Sequence, residues 1–242
     1  MNEYLIIIPA FNEEANIGKV LQGIYARKLP VDVLIIDDGS LDKTAAIARS
    51  QSAIVVSHPC NLGYGAALQT GYQYAFAKGY RYLIQFDADD QHDPASLPSM
   101  IDELKKGESD ILIGSRYLVD SGFAAGFMKK LATGFFRWLI ARLTGVKVSD
   151  PTSGLRGIAS KVFGYYSVRD RFPADFPDAD ILIQMILQGY RVKEIPVQMR
   201  QRLAGVSMHA GLKPFFYMLK IMLSIGIVIL RHQLTKKVPD HE

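Results

Sequence analysis

The chain has 242 residues, enough to bury a full core as one large α/β domain or one domain with an appendage. Its 49% apolar and 21% charged residues exclude extensive disorder, and a net charge of +4 with a pI near 9.0 points only weakly to anionic ligands or an anionic surface. The single cysteine, Cys60, excludes an internal disulfide and any multi-cysteine metal site, and suits a reducing cytoplasm.

The first predicted element is "YLIIIP" (4–9), a continuous apolar run of the kind a strand buried on both faces requires. It lacks a basic leader and its apolar run is short, so it reads as a strand and not as a signal peptide. "NEEANIGKVLQGIYARK" (12–28) places Ile17, Val20, Leu21 and Ile24 on one helical face. "VDVLIIDDGS" (31–40) is a second strand and its exit loop, and "LDKTAAIARSQ" (41–51) a second helix. "AIVVSH" (53–58) is a third strand, and "GYGAALQTGYQYAFAKG" (63–79) a third helix that Gly79 ends. "YRYLIQFD" (80–87), "SLPSMIDELKKG" (96–107) and "DILIGSRY" (110–117) continue as strand, helix and strand. This alternation predicts an α/β fold with a mostly parallel, Rossmann-like sheet flanked by helices on both faces.

In such sheets ligands bind beyond the carboxyl ends of the strands. The polar residues fall there: Pro9 to Glu13, Asp37 to Ser40, His58 to Gly65, Asp87 to Asp93, and Gly114 to Arg116. Adjacent Asp37 and Asp38 can accept hydrogen bonds from a nucleobase imide and a ribose hydroxyl; the competing role is helix capping, by Ser40 or Asp42. Gly63 and Gly65 let backbone approach a ligand at a helix N-terminus, or simply make a tight turn. Asp87-Ala88-Asp89 sets two carboxylates near one hard cation, with Gln91 as a further oxygen donor and His92 close by, against the alternative of a solvated acidic loop. Asp93, before Pro94, is placed to cap the next helix. Arg116, Arg156, Arg200 and Arg202 are candidate phosphate binders.

Taken together, "IIIPAFNEE", "VLIIDDGSLDKT", "HPCNLGYGAALQTG", "FDADDQHDP", "ILIGSRY" and "DPTSGLRG" resemble, in order, the motif series of family 2 glycosyltransferases with the GT-A fold, over about residues 3–208. The nearest branch is that of dolichyl- and polyprenyl-phosphate sugar transferases. The resemblance implies inverting transfer of a sugar from a nucleotide-sugar donor (GDP-mannose or a UDP-sugar) with a divalent cation, magnesium or manganese. By motif, Pro9, Phe11 and Glu13 line the nucleobase and ribose pocket, and Asp38 contacts the nucleoside with Asp37 beside it. Asp89 and Gln91 hold the metal on the diphosphate, and Asp87 lies near the ribose or sugar. Arg116 matches the G-S-R element near the donor sugar or acceptor phosphate, while Asp150 and Arg156 are the polar ends of "DPTSGLR". "RQRLAGVSMH" resembles the diphosphate-covering loop, with Arg202 and Ser207 as the matches and Met208 where a Lys is frequent. Asp90 stands where the family often has an apolar residue.

If the acceptor is a lipid phosphate it is already anionic and needs little base catalysis; if it is a saccharide hydroxyl, a carboxylate base is required, with Asp150 and Asp180 the candidates. Asp178 and Asp180 have helix capping as their competing role. A basic amphipathic helix over about 122–145, with Trp138, suits a membrane interface. Beyond a 1–208 catalytic domain, residues 209–242 form a C-terminal apolar helix and basic tail. Leu212–Leu230 would reach roughly 28 Å as a helix, but Lys213 and Lys220 interrupt it. Lying in the interface is the first reading, a marginal span the second and homo-oligomerisation the third. The expected partners are therefore a nucleotide-sugar, a lipid-phosphate acceptor and the cytoplasmic face of a membrane, with no nucleic acid. A non-catalytic nucleotide-sugar-binding protein is the alternative of another class, and the D-x-D element argues against it.

Overall fold

The computed structural model describes residues 2–118, 127–169, 171–173, 179–199 and 213–237. The strands are β1 (Tyr4–Ala10), β2 (Val31–Asp37), β3 (Ile54–Ser57), β4 (Tyr82–Gln85), β5 (Ile111–Ser115), β6 (Arg156–Ala159) and β7 (Val192–Pro196). They form one sheet in the order β3-β2-β1-β4-β6-β5-β7. All neighbours are parallel except β6, which runs antiparallel between β4 and β5. The helices are α1 (Ile17–Tyr25), α2 (Thr44–Ser50), α3 (Tyr64–Ala77), α4 (Leu97–Lys105), α5 (Phe127–Thr144), α6 (Ser160–Ser167), α7 (Ala179–Leu187) and α8 (Lys213–Lys237).

The wholly buried β1 explains its unbroken apolar sequence: successive side chains enter opposite cores. Leu5 and Ile7 join Leu68 and Tyr72 of α3, Phe136 of α5 and Leu182 of α7 on one face. Tyr4, Ile6 and Ile8 join Val20 and Leu21 of α1 and Met100 of α4 on the other. The predicted mostly parallel sheet between two helical layers is therefore the architecture observed. Helix α8, set apart from residues 1–208 in the sequence reading, contributes Ile221 and Ile225 to the first of these cores.

Two features differ from the local pattern. Helix α1 starts at Ile17 and not near residue 12. The amides of Asn12, Glu13 and Glu14 donate to Ser40 Oγ, Thr44 Oγ1 and Asp42 Oδ2, which fixes that stretch as loop against the next crossover. Strands β6 and β7 lie beyond the predicted series, and antiparallel β6 has a consequence for the site. Its N-terminal end meets the carboxyl ends of its neighbours, so the loop before it, 150–156, arrives at the edge where the polar strand-end loops gather.

Candidate active site

At the β2 edge, Asp37 Oδ1 accepts the Ser40 amide at 3.1 Å. Asp38, only 4% exposed, accepts the amides of Leu62 and Gly63, both at 2.9 Å, and lies 2.7 Å from His58 Nδ1. The other His58 nitrogen sits 2.9 Å from Thr70 Oγ1. Gly63 has φ +100°, a conformation that suits glycine, and it delivers its amide to Asp38. A Cβ on Gly39 would lie 2.4 Å from the Cys60 carbonyl carbon, so the two loops interlock too closely for a side chain there. Asp38 thus organises the 58–63 loop, whatever else it meets. Beside it, Pro9 is buried in β1, Phe11 is 44% exposed, and the Glu13 carboxylate accepts from Asn16 Nδ2 at 2.7 Å.

The acids after β4 separate into distinct environments. Asp87 Oδ1 accepts the Tyr64 hydroxyl and Oδ2 meets His92 Nε2, each at 3.1 Å. Burial pushes the Asp87 carboxyl up, but the bonds from His92 and Tyr64 and the nearby Arg116 charge outweigh it and hold the group below its ordinary value. Asp89 is half-buried and its Oδ1 accepts the Gln91 amide at 3.1 Å. Asp90 has φ +58°, a left-handed conformation that Asp tolerates, and pairs with Lys19 of α1 at 3.4 Å. This gives Asp90 a structural reason for standing where it does. Asp93 caps the 3-10 turn Pro94–Ser96 through the Ala95 amide at 2.9 Å.

Among the described residues no group of three or more His, Cys, Asp or Glu side chains converges as a metal cage. The half-buried oxygen donors of Asp89 and Gln91 fit a different type of site. Magnesium and manganese are commonly held by one or two carboxylates, with waters and substrate phosphates completing the shell.

Asp150 and Arg116, separate candidates in the sequence, are each other's partners. Arg116 Nε and Nη2 each reach one Asp150 oxygen at 2.6 Å, and the Arg116 amide adds a third bond at 3.1 Å. Asp150 is fully buried. Arg116 Nη2 also donates to Thr152 Oγ1 at 3.0 Å. Glu194 of β7 supports the fork from behind by accepting the Ser149 and Asp150 amides at 2.7 and 2.9 Å. Both Asp150 oxygens are therefore occupied by the Arg116 guanidinium. Arg156 is likewise turned inward: it is 6% exposed, and Nε and Nη2 donate to the carbonyls of Ser153 and Pro151 at 3.0 and 2.9 Å. Those contacts brace the 150–156 loop.

Asp180 belongs to another region. It lies in the first turn of α7, is 2% exposed, and accepts the Ser224 hydroxyl of α8 at 2.5 Å. It lines a cavity of about 460 Å³ with Tyr165, Phe172, Ser224 and Arg231, and none of the strand-end candidates lines that cavity. Arg200, Arg202, Ser207, Met208 and Asp178 lie outside the described residues.

Sequence reasoning missed Tyr64, Gln85, Glu194 and Gly154. Tyr64 and Gly154 do fall in strand-edge loop motifs, whereas Gln85 and Glu194 sit inside strands with no local signal.

A family model described as glycosyl transferase family 2 matches residues 5–166. The polyprenol monophosphomannose synthase of Mycolicibacterium smegmatis is 30% identical over 86% of this chain and 81% of its own length. The UDP-N-acetylglucosamine–dolichyl-phosphate N-acetylglucosaminyltransferase of Methanococcus voltae is 26% identical over 93% of this chain and 97% of its own. Among solved structures, glucosyl-3-phosphoglycerate synthase from Mycobacterium tuberculosis with phosphoglyceric acid superposes with a TM-score of 0.68 at 19% identity, covering 92% of this chain and 80% of that one. The same enzyme with Mn2+, UDP-glucose and phosphoglyceric acid gives 0.66 at 20% identity, covering 92% and 79%. These likenesses establish the shared fold.

Proposed function

This chain belongs to glycosyl transferase family 2, and from that premise we propose that it moves a sugar, with inversion, from a nucleotide-sugar to a polyprenyl phosphate at the cytoplasmic face of a membrane. The observation that carries the choice of acceptor is the state of the two base candidates. Asp150 is locked on Arg116, and Asp180 is tied to α8 in a different cavity. A hydroxyl acceptor would need a carboxylate to take its proton, and these are the two candidates the sequence offers for that role. A phosphate monoester arrives ionised and needs neither. The names of the relatives, which include polyprenol and dolichyl phosphate transferases, support the same choice.

In this reading the interlocked loops of Asp37, Asp38 and Gly63 form the floor for the nucleoside, with Pro9, Phe11 and Glu13 at its side. Asp87 orients the ribose or the sugar. Asp89 and Gln91 would hold magnesium or manganese, which when bound supplies positive charge against the leaving diphosphate. The Mn2+ in the UDP-glucose complex of the structural neighbour supports a divalent ion here. Arg202 and Ser207 would close on the diphosphate. Arg116, aimed by Asp150, presents a fixed cation beside Asp87 to the sugar or to the incoming phosphate.

The membrane part of the proposal rests on two helices. No described helix is long and apolar enough to cross a membrane. Helix α8 buries Ile221 and Ile225 inward and exposes Met222, Leu223, Ile227 and Leu230 outward, while α5 exposes Leu131 and Trp138 near the basic Lys130 and Arg142. Apolar outer faces with basic flanks suit the lipid interface.

The test is a panel of radiolabelled GDP- and UDP-sugars with manganese and a short-chain polyprenyl phosphate. Label that extracts into organic solvent is expected for one donor. Label found only in the aqueous phase would sink the lipid-phosphate acceptor.

A further inference from the structure

We propose that Tyr64 is a positioning residue for Asp87, itself oriented by a buried Tyr72–Gln85 pair. The inference rests on the proposed place of Asp87 in the donor site.

Gln85 raises the question. It lies in β4 among Leu83 and Ile84 and is 3% exposed, where an apolar residue would pack without needing partners. A buried amide is tolerated only when its donors and acceptors are met. They are met in one direction. Asp87 as a carboxylate can only accept, so the single Tyr64 proton points to Asp87 Oδ1 at 3.1 Å. Tyr64 oxygen must then accept, and Gln85 Nε2 donates to it at 2.9 Å. That leaves Gln85 Oε1 facing Tyr72, whose hydroxyl donates at 3.2 Å. Burial pushes the Tyr72 phenol well above its ordinary value, so it keeps its proton across the working pH range. No member can reverse without leaving two donors or two acceptors face to face.

The chain ends on an oxygen that has little room elsewhere. His92 Nε2 meets the second Asp87 oxygen at 3.1 Å, and the bare Cα of Gly154 packs against the same carboxylate. A carboxylate fixed from three sides meets its ligand without reorganising first, the advantage that outer-shell hydrogen bonds give to binding groups.

The experiment is a double-mutant cycle on the full chain. Binding of GDP-mannose and of UDP-glucose, each with manganese, is measured by calorimetry for wild type, Tyr64→Phe, Asp87→Ala and the double variant. Gln85→Leu and Tyr72→Phe complete the series, and thermal unfolding is followed for all. Tyr64→Phe is expected to weaken donor binding about tenfold, with Gln85→Leu similar and Tyr72→Phe smaller. In the Asp87→Ala background the Tyr64→Phe change is expected to fall below about twofold, because its target is gone. A merely structural tyrosine would lower the unfolding temperature and weaken binding equally in both backgrounds, which overturns the inference. Wild-type binding unaltered by Tyr64→Phe overturns it as well, and leaves the donor reading standing. A wild type that binds neither nucleotide sugar, and neither GDP nor UDP with manganese, overturns the donor reading and this inference together.

Discussion

Gly154→Ala adds one methyl group at the point where the 150–156 loop presses on the acidic cluster. The new Cβ would lie 2.2 Å from Asp87 Oδ2 and 2.9 Å from its carboxyl carbon and Oδ1, where ordinary contact begins at 3.4 Å. The carboxylate must therefore retreat by roughly 1 Å. Gly154 is not among the glycines with positive φ, so alanine meets no backbone penalty there. A less flexible unfolded chain would even offset part of any cost, by up to about 1 kcal/mol. The fold should survive at a cost of about 1–3 kcal/mol, the usual range for one added methyl in a packed site. The site should not, because the Asp87 bonds to Tyr64 and His92 are already 3.1 Å and a further retreat breaks at least one. A misplacement of about 1 Å costs on the order of 100-fold in rate, or about 2.7 kcal/mol of barrier. Donor kcat/KM with manganese, set beside thermal unfolding of the same preparations, reads both quantities. A folded variant within twofold of wild-type kcat/KM would refute the argument that Asp87 placement matters.

Three further expectations use other parts of the molecule. Asp89→Ala should abolish metal-dependent donor turnover while circular dichroism and unfolding temperature stay close to wild type; retained turnover would remove Asp89 from the metal site. Asp150→Ala leaves Arg116 buried without its partner and should cost about 3–5 kcal/mol in urea unfolding, whereas Arg116→Met with Asp150→Leu should recover part of that stability and remain inactive. A stable Asp150→Ala protein would show the pair to be dispensable for folding. Asp110 joins β5 to Lys161 and Arg191; burial raises its carboxyl, but bonds from Arg191 and Lys161 win and bring it to about 2. A lowered carboxyl stabilises the fold above the unfolded value of 3.8, and the contribution disappears as pH falls from there through about 2. Its two basic partners are more than half exposed, so screening limits the contribution to about 1–2 kcal/mol. Urea unfolding of Asp110→Asn should show that deficit at pH 7 and almost none at pH 2; an equal deficit at both would contradict the ionic origin.

The α/β alternation, the buried β1 and β2, the Gly79 helix end and the Asp93 cap were all legible in the sequence. Each depends on residues within a few positions of one another: an apolar run, a glycine with φ +73°, a side chain reaching an amide two residues on. The gathering of polar loops at one edge was legible too, because parallel crossovers bring every strand's carboxyl end to the same side. Local pattern placed Asp37, Asp38, Asp87 and Asp89 in that edge, and it did not show what each would touch.

What the tertiary structure decided is pairing at a distance. Arg116 and Asp150 are 34 positions apart, and Glu194 is 44 from the Asp150 amide it holds. These contacts exist because β6 inserts antiparallel between β4 and β5, a choice set by packing and not by the periodicity of any single segment. The same insertion sets Gly154 against Asp87. By itself the sequence determined the fold class, the edge where the polar loops gather and the acids available there, since short-range sterics and burial are enough for those. Only the folded chain decided which partner each acid takes, Asp87 with Tyr64 and His92, Asp90 with Lys19 and Asp150 with Arg116, since that depends on neighbours the linear order keeps apart.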